Sequence, residues 1–200
     1  MNKKTIRQPR QERSIETKQK IINAGYLLFS EMGYYGTNTA EIAKRAGVST
    51  GIVYGYFSDK RDILICVLEI YLKKVTDPLM KAFKKLKAPI VVKDVAPIVI
   101  DEVIKIHKSN SKIHEALHSL SSNDEAVNAK FMALEDKLTL EISNSLIKLG
   151  VNSDNINEKV HFAMGILQDF AHEFIYDKHD YIDYDFLRDM VKQTLINIFE

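Results

Sequence analysis

The chain has 200 residues, of which 46% are hydrophobic, so it can bury the core of one or two ordinary globular domains. Its one cysteine, Cys66, excludes an internal disulfide framework, and no apolar run reaches the roughly 18 residues that a membrane span requires. The formal net charge is only +1, but Lys and Arg outnumber Asp and Glu in residues 1–62, whereas the remainder is mildly acidic. This distribution favours a polyanionic partner at the N-terminal end.

The N-terminal segment is rich in basic side chains, at Lys3, Lys4, Arg7, Arg10 and Arg13. It lacks the apolar region of a signal peptide, so we expect a cytoplasmic protein without a membrane partner. Residues 1–13 cannot bury enough apolar surface to fold alone. Two interpretations remain open: an arm that contacts phosphates or enters a minor groove, or a solvated tail.

The first predicted helix runs to about Met32, where Gly33 ends it. Ser14 or Thr17 is expected to cap its N terminus. Its apolar residues recur at helical spacing, at Ile21, Ala24, Leu28 and Met32. We expect this helix to close a three-helix unit over the two helices that follow.

A short helix is predicted directly after Asn38. Asn38 is a favourable N-cap, and Glu41 follows at the spacing of a capping box. Gly47 stands where the helix must stop, because glycine tolerates a positive φ. Ser49 then caps a second helix that begins at Thr50. Two short helices joined by a tight turn indicate a helix-turn-helix, whose second helix would lie in the DNA major groove.

The second helix, from Thr50 to about Phe57, has an unusual composition. Its two glycines, Gly51 and Gly55, each cost about 1 kcal/mol relative to alanine, so something should compensate. Close approach of the backbone to a ligand is one such use, and a DNA groove is such a ligand. The helix also carries hydroxyl groups suited to phosphate oxygens, at Thr50, Tyr54 and Tyr56.

The stretch from Asn38 to Lys60 resembles the DNA-binding signature of the TetR family of transcriptional regulators. The matching positions are Thr39, Ile42-Ala43, Gly47-Val48-Ser49, Val53-Tyr54-Gly55-Tyr56-Phe57 and Lys60, followed by Asp62-Ile63-Leu64. The resemblance extends back through Ile21, Ala24, Leu28-Phe29, Gly33 and Tyr34 and covers about the first third of the chain.

This resemblance implies an all-α fold of about nine helices in two domains. Residues 1–60 would be a three-helix, helix-turn-helix DNA-binding domain, and residues 61–200 a helical ligand-binding and dimerisation domain. The partner would be a near-palindromic, double-stranded DNA operator. The residues expected to contact DNA are Thr39, Ser49, Thr50, Gly51, Tyr54, Gly55, Tyr56 and Lys60. For Lys60 the alternative is an exposed charge without a role.

The remainder of the chain shows helical periodicity and no segment of strand period. A fourth helix is expected from Asp59 to about Val75 or past Pro78, and Pro89 and Pro97 are expected to bracket a loop and the start of the next helix. That helix should end near His107. Further helices are predicted at about 112–120, 124–150, 154–177 and 185–199.

The resemblance also implies a ligand cavity in the C-terminal body. Candidate ligand-binding residues are His107, His118, Phe131, Phe162 and Gln168, although the apolar residues among them fit an ordinary core equally well. Arg188 is the only arginine beyond Arg61, which argues against a bidentate grip on an anionic ligand. A small, apolar effector is therefore expected.

The last two helices are expected to pair with their copies in a homodimer, because their apolar stripes are too extensive for solvent-facing terminal helices. The candidate interface residues are Phe170, Phe174, Leu187, Val191 and Leu195.

Metal and enzyme chemistry find little support in the sequence. His114 and His118 have the i, i+4 spacing that metal ligands use, but no third ligand joins them, so ordinary histidines, no metal and no cofactor are expected. No nucleophile elbow or glycine-rich phosphate loop is present. We therefore predict a ligand-responsive DNA-binding repressor. The alternatives are a helical ligand-binding or scaffold protein that no longer binds DNA, and an enzyme in the C-terminal body.

Overall fold

The computed structural model describes residues 12–200, which form nine helices and no strand. The helices are α1 (Glu12–Met32), α2 (Thr39–Ala46), α3 (Thr50–Tyr56), α4 (Lys60–Lys85), α5 (Val92–Ser109), α6 (Ser111–Ser121), α7 (Glu125–Lys148), α8 (Ile156–Tyr176) and α9 (Tyr184–Phe199). The all-α fold expected from the sequence is thus confirmed. None of the nine helices has the length and apolar composition needed to cross a bilayer. The predicted arm lies outside the described residues except for its last two.

Helix α1 begins earlier than predicted. Ser14 and Thr17, the expected caps, both lie inside the helix that starts at Glu12. The Thr17 hydroxyl donates to the carbonyl of Arg13 at 2.8 Å, and the Ser14 hydroxyl pairs with the Tyr56 hydroxyl at 2.8 Å. Because each hydroxyl bonds a group other than the N–H of a first turn, neither acts as a cap, and this prediction was wrong.

The predicted boundaries of α2 and α3 are confirmed. The Asn38 side chain accepts from the Glu41 N–H at 2.9 Å, and the Glu41 carboxylate accepts from the Asn38 N–H at 3.0 Å, completing a capping box. Gly47 ends α2 with a φ of 70°. The Ser49 hydroxyl accepts from the Ile52 N–H at 3.4 Å at the start of α3. These contacts set the turn between the two helices.

Pro97 does not mark a helix start as expected, whereas Pro89 lies in the predicted loop and Pro78 lies inside α4, which was expected to end near Val75 or to pass Pro78. Helix α4 starts at Lys60, after Asp59 accepts from the Asp62 N–H at 2.9 Å, and it passes through Pro78 to Lys85. Helix α5 starts at Val92, so Pro97 lies inside it rather than at its start. Val95, Ala96 and Ile100 are buried around that proline. We attribute the continuation of α5 to this packing, which outweighs the local preference against proline.

The chain forms two compact units that are not contiguous in sequence. Of the described residues, the first unit contains residues 12–73 together with Asn110–Ala129, and the second contains Lys74–Ser109 and Lys130–Glu200. Helix α6 therefore belongs to the same unit as α1, α2 and α3. The predicted boundary between residues 60 and 61 falls within the first unit, and as a functional boundary it stays a prediction.

The first unit has buried apolar side chains from several helices and polar hydrogen bonds to α6. Its fully buried side chains include Ile21, Phe29, Ile42, Val53, Leu64, Leu68 and Leu117. The Tyr26 hydroxyl in α1 donates to the Asn110 side chain at 3.2 Å, and the Tyr71 hydroxyl in α4 lies 2.5 Å from His114 Nδ1 in α6. These contacts hold α6 against α1 and the first part of α4.

The core of the second unit has two parts. Helices α5, α8 and α9 enclose one cluster around Ile100, Leu167 and Ala171. The second cluster joins Phe83 of α4 to Leu138, Ile142 and Leu146 of α7, together with Val160 of α8. The second unit thus contains residues from five helices. The N-terminal parts of α4 and α7, up to Lys73 and Ala129, belong to the first unit.

Candidate nucleic-acid interface and ligand cavity

Helix α3 presents one face to the core and the other to solvent. Val53 is fully buried and Phe57, which follows the helix, is 3% exposed, so these two residues anchor it. Gly51, Ile52 and Tyr54 are exposed. Because the helix has only seven residues, its caps and these two anchors must supply the stability that a free helix of this length lacks.

The two glycines of α3 have no intramolecular explanation. A Cβ atom added at Gly55 would meet nothing within 4 Å, and one at Gly51 would meet only the Ser49 hydroxyl, at 3.9 Å. Neither residue has a positive φ. Gly25 in α1 differs, because a Cβ atom there would lie 2.7 Å from a methyl of Ile63. The glycines of α3 therefore leave an open strip of backbone on the solvent face.

Two pairs of hydroxyl groups flank this strip. The Thr39 hydroxyl, at the start of α2, lies 3.0 Å from the Tyr54 hydroxyl. The Ser14 hydroxyl in α1 lies 2.8 Å from the Tyr56 hydroxyl. Each pair fixes the orientation of a tyrosine that is predicted to contact DNA. Ser14 did not appear among the predicted residues, because its partner is 42 positions away.

Lys60 has a structural role that the sequence did not reveal. Its ammonium group donates to the carbonyl of Tyr34 at 2.7 Å and to that of Thr37 at 2.8 Å, and it lies 4.2 Å from the centre of the Tyr34 ring. Burial lowers the pKa of Lys60. The ammonium group thus ties the start of α4 to the connection between α1 and α2. The predicted phosphate contact of Lys60 stays a prediction.

A second polar tie in this unit joins the starts of α4 and α7. The Arg61 guanidinium binds the Asp124 carboxylate with two hydrogen bonds, from Nε and from Nη2. Asp124 also accepts from the N–H groups of Ala126 and Val127, at 3.1 and 3.3 Å. The hydrogen bond from Arg61 is the main reason that the pKa of Asp124 is lowered.

The second unit contains an apolar cavity of about 130 Å³. Side chains of α4, α5, α7, α8 and α9 line it, among them Phe83, Val99, Ile142, Leu167 and Phe199. Its only polar lining residues within the described chain are His107 and Gln168. A cavity with this lining suits a hydrocarbon group.

The structure separates the predicted ligand-binding residues into two groups. His107 and Gln168 line the cavity. His118, Phe131 and Phe162 are not among its lining residues, and their role in ligand binding stays a prediction. Phe162 is 61% exposed on the outer side of α8, whereas the next residue, Ala163, faces the cavity. His118 belongs to the first unit.

His107 is buried, and its surroundings favour the neutral form of the imidazole. Burial lowers its pKa, the hydrogen bond to the Val103 carbonyl opposes this, and His172 adds to the lowering. Nδ1 lies 2.9 Å from that carbonyl. Because a carbonyl only accepts, Nδ1 must carry the proton, and in the neutral ring Nε2 is the acceptor. His107 can therefore accept a hydrogen bond but is poorly suited to neutralise an anion.

The predicted dimer-interface residues lie mainly inside the second unit. Phe170, Val191 and Leu195 are at most 7% exposed and belong to its core, and Phe174 and Leu187 pack against the same cluster. Most of their apolar area is already covered within one chain, and their place in a dimer interface stays a prediction. The exposed apolar side chains on α8 and α9 are Phe162, Phe186 and Met190, at 61%, 65% and 51%.

The two histidines of α6 lie close together. The rings of His114 and His118 are 4.1 Å apart between centroids, and His114 contacts the Tyr71 hydroxyl. No group of three or more His, Cys, Asp or Glu side chains in residues 12–200 could hold a metal ion. His114 is 5% exposed and is a buried hydrogen-bonding residue of the first unit.

Comparison with known proteins finds a family match for the part of the chain that contains the helix-turn-helix. Residues 21–67 match the family described as bacterial regulatory proteins, tetR family. The HTH-type transcriptional regulator HbdR of Aromatoleum sp. (strain CIB) is 41% identical over 75 residues, which are 38% of this chain and 33% of HbdR. The match thus spans about a third of the length of that relative.

Solved structures extend the likeness of the fold beyond those residues. A TetR-family regulator from Mesorhizobium loti superposes with a TM-score of 0.75 at 17% identity, over 94% of this chain and 97% of its own. RolR in complex with resorcinol superposes with a TM-score of 0.63 at 17% identity, over 94% and 89%. At these identities the likeness shows the fold alone.

Proposed function

Because the chain belongs to the TetR family of transcriptional regulators, we propose that it is a ligand-responsive repressor. It binds a near-palindromic operator as a homodimer and is released by a small, largely apolar effector. Residues 1–60 bind DNA, and residues 61–200 bind the effector and form the dimer, as the predicted domains imply.

The exposed glycine strip of α3 is the observation that carries the DNA-binding part of the proposal. Gly51 and Gly55 leave the backbone open without any intramolecular need, and a major groove is a surface that a helix can approach this closely. Thr50, Tyr54 and Tyr56 supply neutral hydroxyl donors, together with Thr39 and Ser49, and Lys60 supplies a charged donor.

The exposed apolar side chains of α8 and α9 support a homodimer. Phe162, Phe186 and Met190 would cover one another's apolar area across a two-fold axis, and every Å² of apolar surface removed from water contributes about 25 cal/mol. Two α3 helices would then face DNA about one helical turn apart.

The apolar cavity supports the effector part of the proposal. RolR, which has a similar fold, binds the small neutral molecule resorcinol. Helix α4 contributes Leu79 and Phe83 to the cavity wall here, and the same helix begins at Lys60 beside the helix-turn-helix. An effector that displaces α4 would change the spacing of the two recognition helices and weaken operator binding.

A mobility-shift titration tests the proposal. The full chain is titrated against the DNA upstream of its own gene and against a scrambled duplex of equal length and composition, at two salt concentrations. We expect a shift of the upstream DNA at protein concentrations that leave the scrambled duplex free. Equal affinity for both duplexes would contradict operator recognition and favour the helical ligand-binding or scaffold alternative.

A further inference from the structure

A polar hollow of about 80 Å³ adjoins the apolar cavity of the second unit. Its lining comprises Glu135, His161 and Gly165, together with Met164 and Gln168. Met164 and Gln168 also line the apolar cavity, so these two side chains form a wall common to both spaces. We call the apolar space the inner cavity and the polar space the vestibule.

Among the residues that the structure describes, none with a charged side chain lines the inner cavity. Apart from Gln168 its polar lining residue is His107, whose pKa is lowered by burial. A charged group placed there would lose its hydration without gaining a counterion. Only the uncharged, hydrocarbon part of a ligand fits this space.

The vestibule has a different chemistry. Glu135 of α7 is half-buried, and it lines the hollow together with His161 of α8. Neither Lys nor Arg lines the vestibule or the inner cavity among the described residues. The carboxylate attracts an ammonium group and repels a carboxylate or phosphate.

We propose that the two spaces form one binding site for a single-headed amphiphile with a hydrocarbon body and a protonated amine. The body occupies the inner cavity, and the ammonium group lies in the vestibule against Glu135. Gln168, on the common wall, offers its amide oxygen to the same N–H donors. This inference rests on the proposed function and specifies the chemical class of its effector.

Calorimetric titration of the full chain at pH 7 with hexylamine, 1-hexanol and hexanoate tests this assignment. The three probes share a six-carbon body, comparable to the benzene that occupies apolar cavities of about 150 Å³. Hexylamine is protonated at this pH, as a lysine side chain is. We expect it to bind about fivefold more tightly than hexanol, the upper range for a partly solvated ion pair, and hexanoate to bind most weakly.

Two variants test where the ammonium group of the ligand binds, and a third tests where its hydrocarbon body binds. Glu135→Gln should abolish the advantage of hexylamine over hexanol and leave hexanol affinity unchanged. Glu141→Gln, on the same helix but outside both linings, should leave both affinities unchanged. Ala163→Leu fills the inner cavity and should weaken hexylamine and hexanol alike, with thermal denaturation confirming that the variant is folded.

The assignment would be overturned if hexanoate bound as tightly as hexylamine, or if none of the probes bound. It would also be overturned if Glu135→Gln still bound hexylamine more tightly than hexanol, or if Ala163→Leu left the affinity for hexanol unchanged. Operator binding is scored separately by mobility shift without ligand, so a failure of the regulator proposal is distinguishable from a failure of this site.

Discussion

At the scale of single residues, Gly51 and Gly55 are the most informative positions. Alanine has a higher helix propensity and would meet no obstacle at Gly55, so Gly55→Ala should stabilise the folded chain by about 0.5–1 kcal/mol. The added methyl group would hold the backbone away from a groove, so operator affinity should fall although stability rises. Thermal denaturation and mobility-shift titration of the same preparation measure the two effects.

Gly25→Ala provides the matched contrast. Its methyl group would crowd Ile63, so this variant should lose stability and change operator affinity only as far as folding is impaired. A Gly55→Ala variant that binds the operator as tightly as the wild type would remove the main support for α3 as the recognition helix.

Lys60 has a structural role and a proposed contact with phosphate, and a single substitution tests both. Lys60→Ala removes two hydrogen bonds to the carbonyls of Tyr34 and Thr37, which should cost about 1–2 kcal/mol and several degrees of Tm. If the ammonium group also contacts phosphate, the slope of log affinity against log salt should decrease by about one per monomer. Lys44→Ala, at an exposed lysine of α2, should leave Tm unchanged. A lower Tm with an unchanged slope would restrict Lys60 to its structural role.

At the scale of helices, Asp124 links the start of α7 to the start of α4. Its carboxylate caps α7 and pairs with Arg61, and the hydrogen bond from Arg61 lowers its pKa below the value in the unfolded chain. Its contribution to stability is therefore complete above the unfolded pKa and is lost as the pH falls through the folded pKa.

Asp124→Asn should thus lower Tm at pH 7, with a difference from the wild type that shrinks as the pH falls below about 4. Because asparagine still accepts hydrogen bonds at an N-cap, Asp124→Ala should lose more than Asp124→Asn at pH 7. Denaturation curves recorded between pH 3 and pH 8 provide the measurement. A difference between Asp124→Asn and the wild type that is independent of pH would mean that the charge of Asp124 is not the stabilising feature.

At the scale of the whole molecule, the proposed homodimer depends on which apolar side chains of α8 and α9 face outward. Phe162→Glu and Phe186→Glu place a charge at exposed positions, so a single chain should remain folded, whereas a dimer would bury an unpaired carboxylate. We expect sedimentation velocity to show monomers at micromolar concentration. Operator affinity should fall steeply, because two half-sites are no longer linked.

Ile98→Glu serves as the control for this prediction, since Ile98 is similarly exposed, at 51%, but lies on α5. It should sediment as the wild type does. Phe170→Glu would be uninformative, because Phe170 is 5% exposed within the core and the substitution would unfold the unit. Wild-type chain that sediments as a monomer and still binds the operator tightly would contradict the proposed dimer.

The sequence alone was sufficient for features that depend on neighbouring residues. Asn38 and Glu41 cap α2, Gly47 ends it and Ser49 begins α3, and all of these were predictable because their partners lie within three or four positions. The helical class of the described part of the chain followed from periodicity for the same reason. The glycines of α3 were visible in the sequence, but only the structure shows that no intramolecular contact requires them.

Tertiary structure decided whatever depends on distant partners. The hydrogen bonds of Lys60 reach carbonyls 23 and 26 residues away, and Asp124 binds an arginine 63 residues away. No local sequence pattern indicates contacts over such separations. Helices α8 and α9 carry apolar side chains on both their inner and outer faces, and periodicity cannot distinguish a face buried in its own chain from one left exposed. Phe170 therefore lies in the core while Phe162 on the same helix lies on the surface, because the packing of α5 and α9 covers only one side of α8.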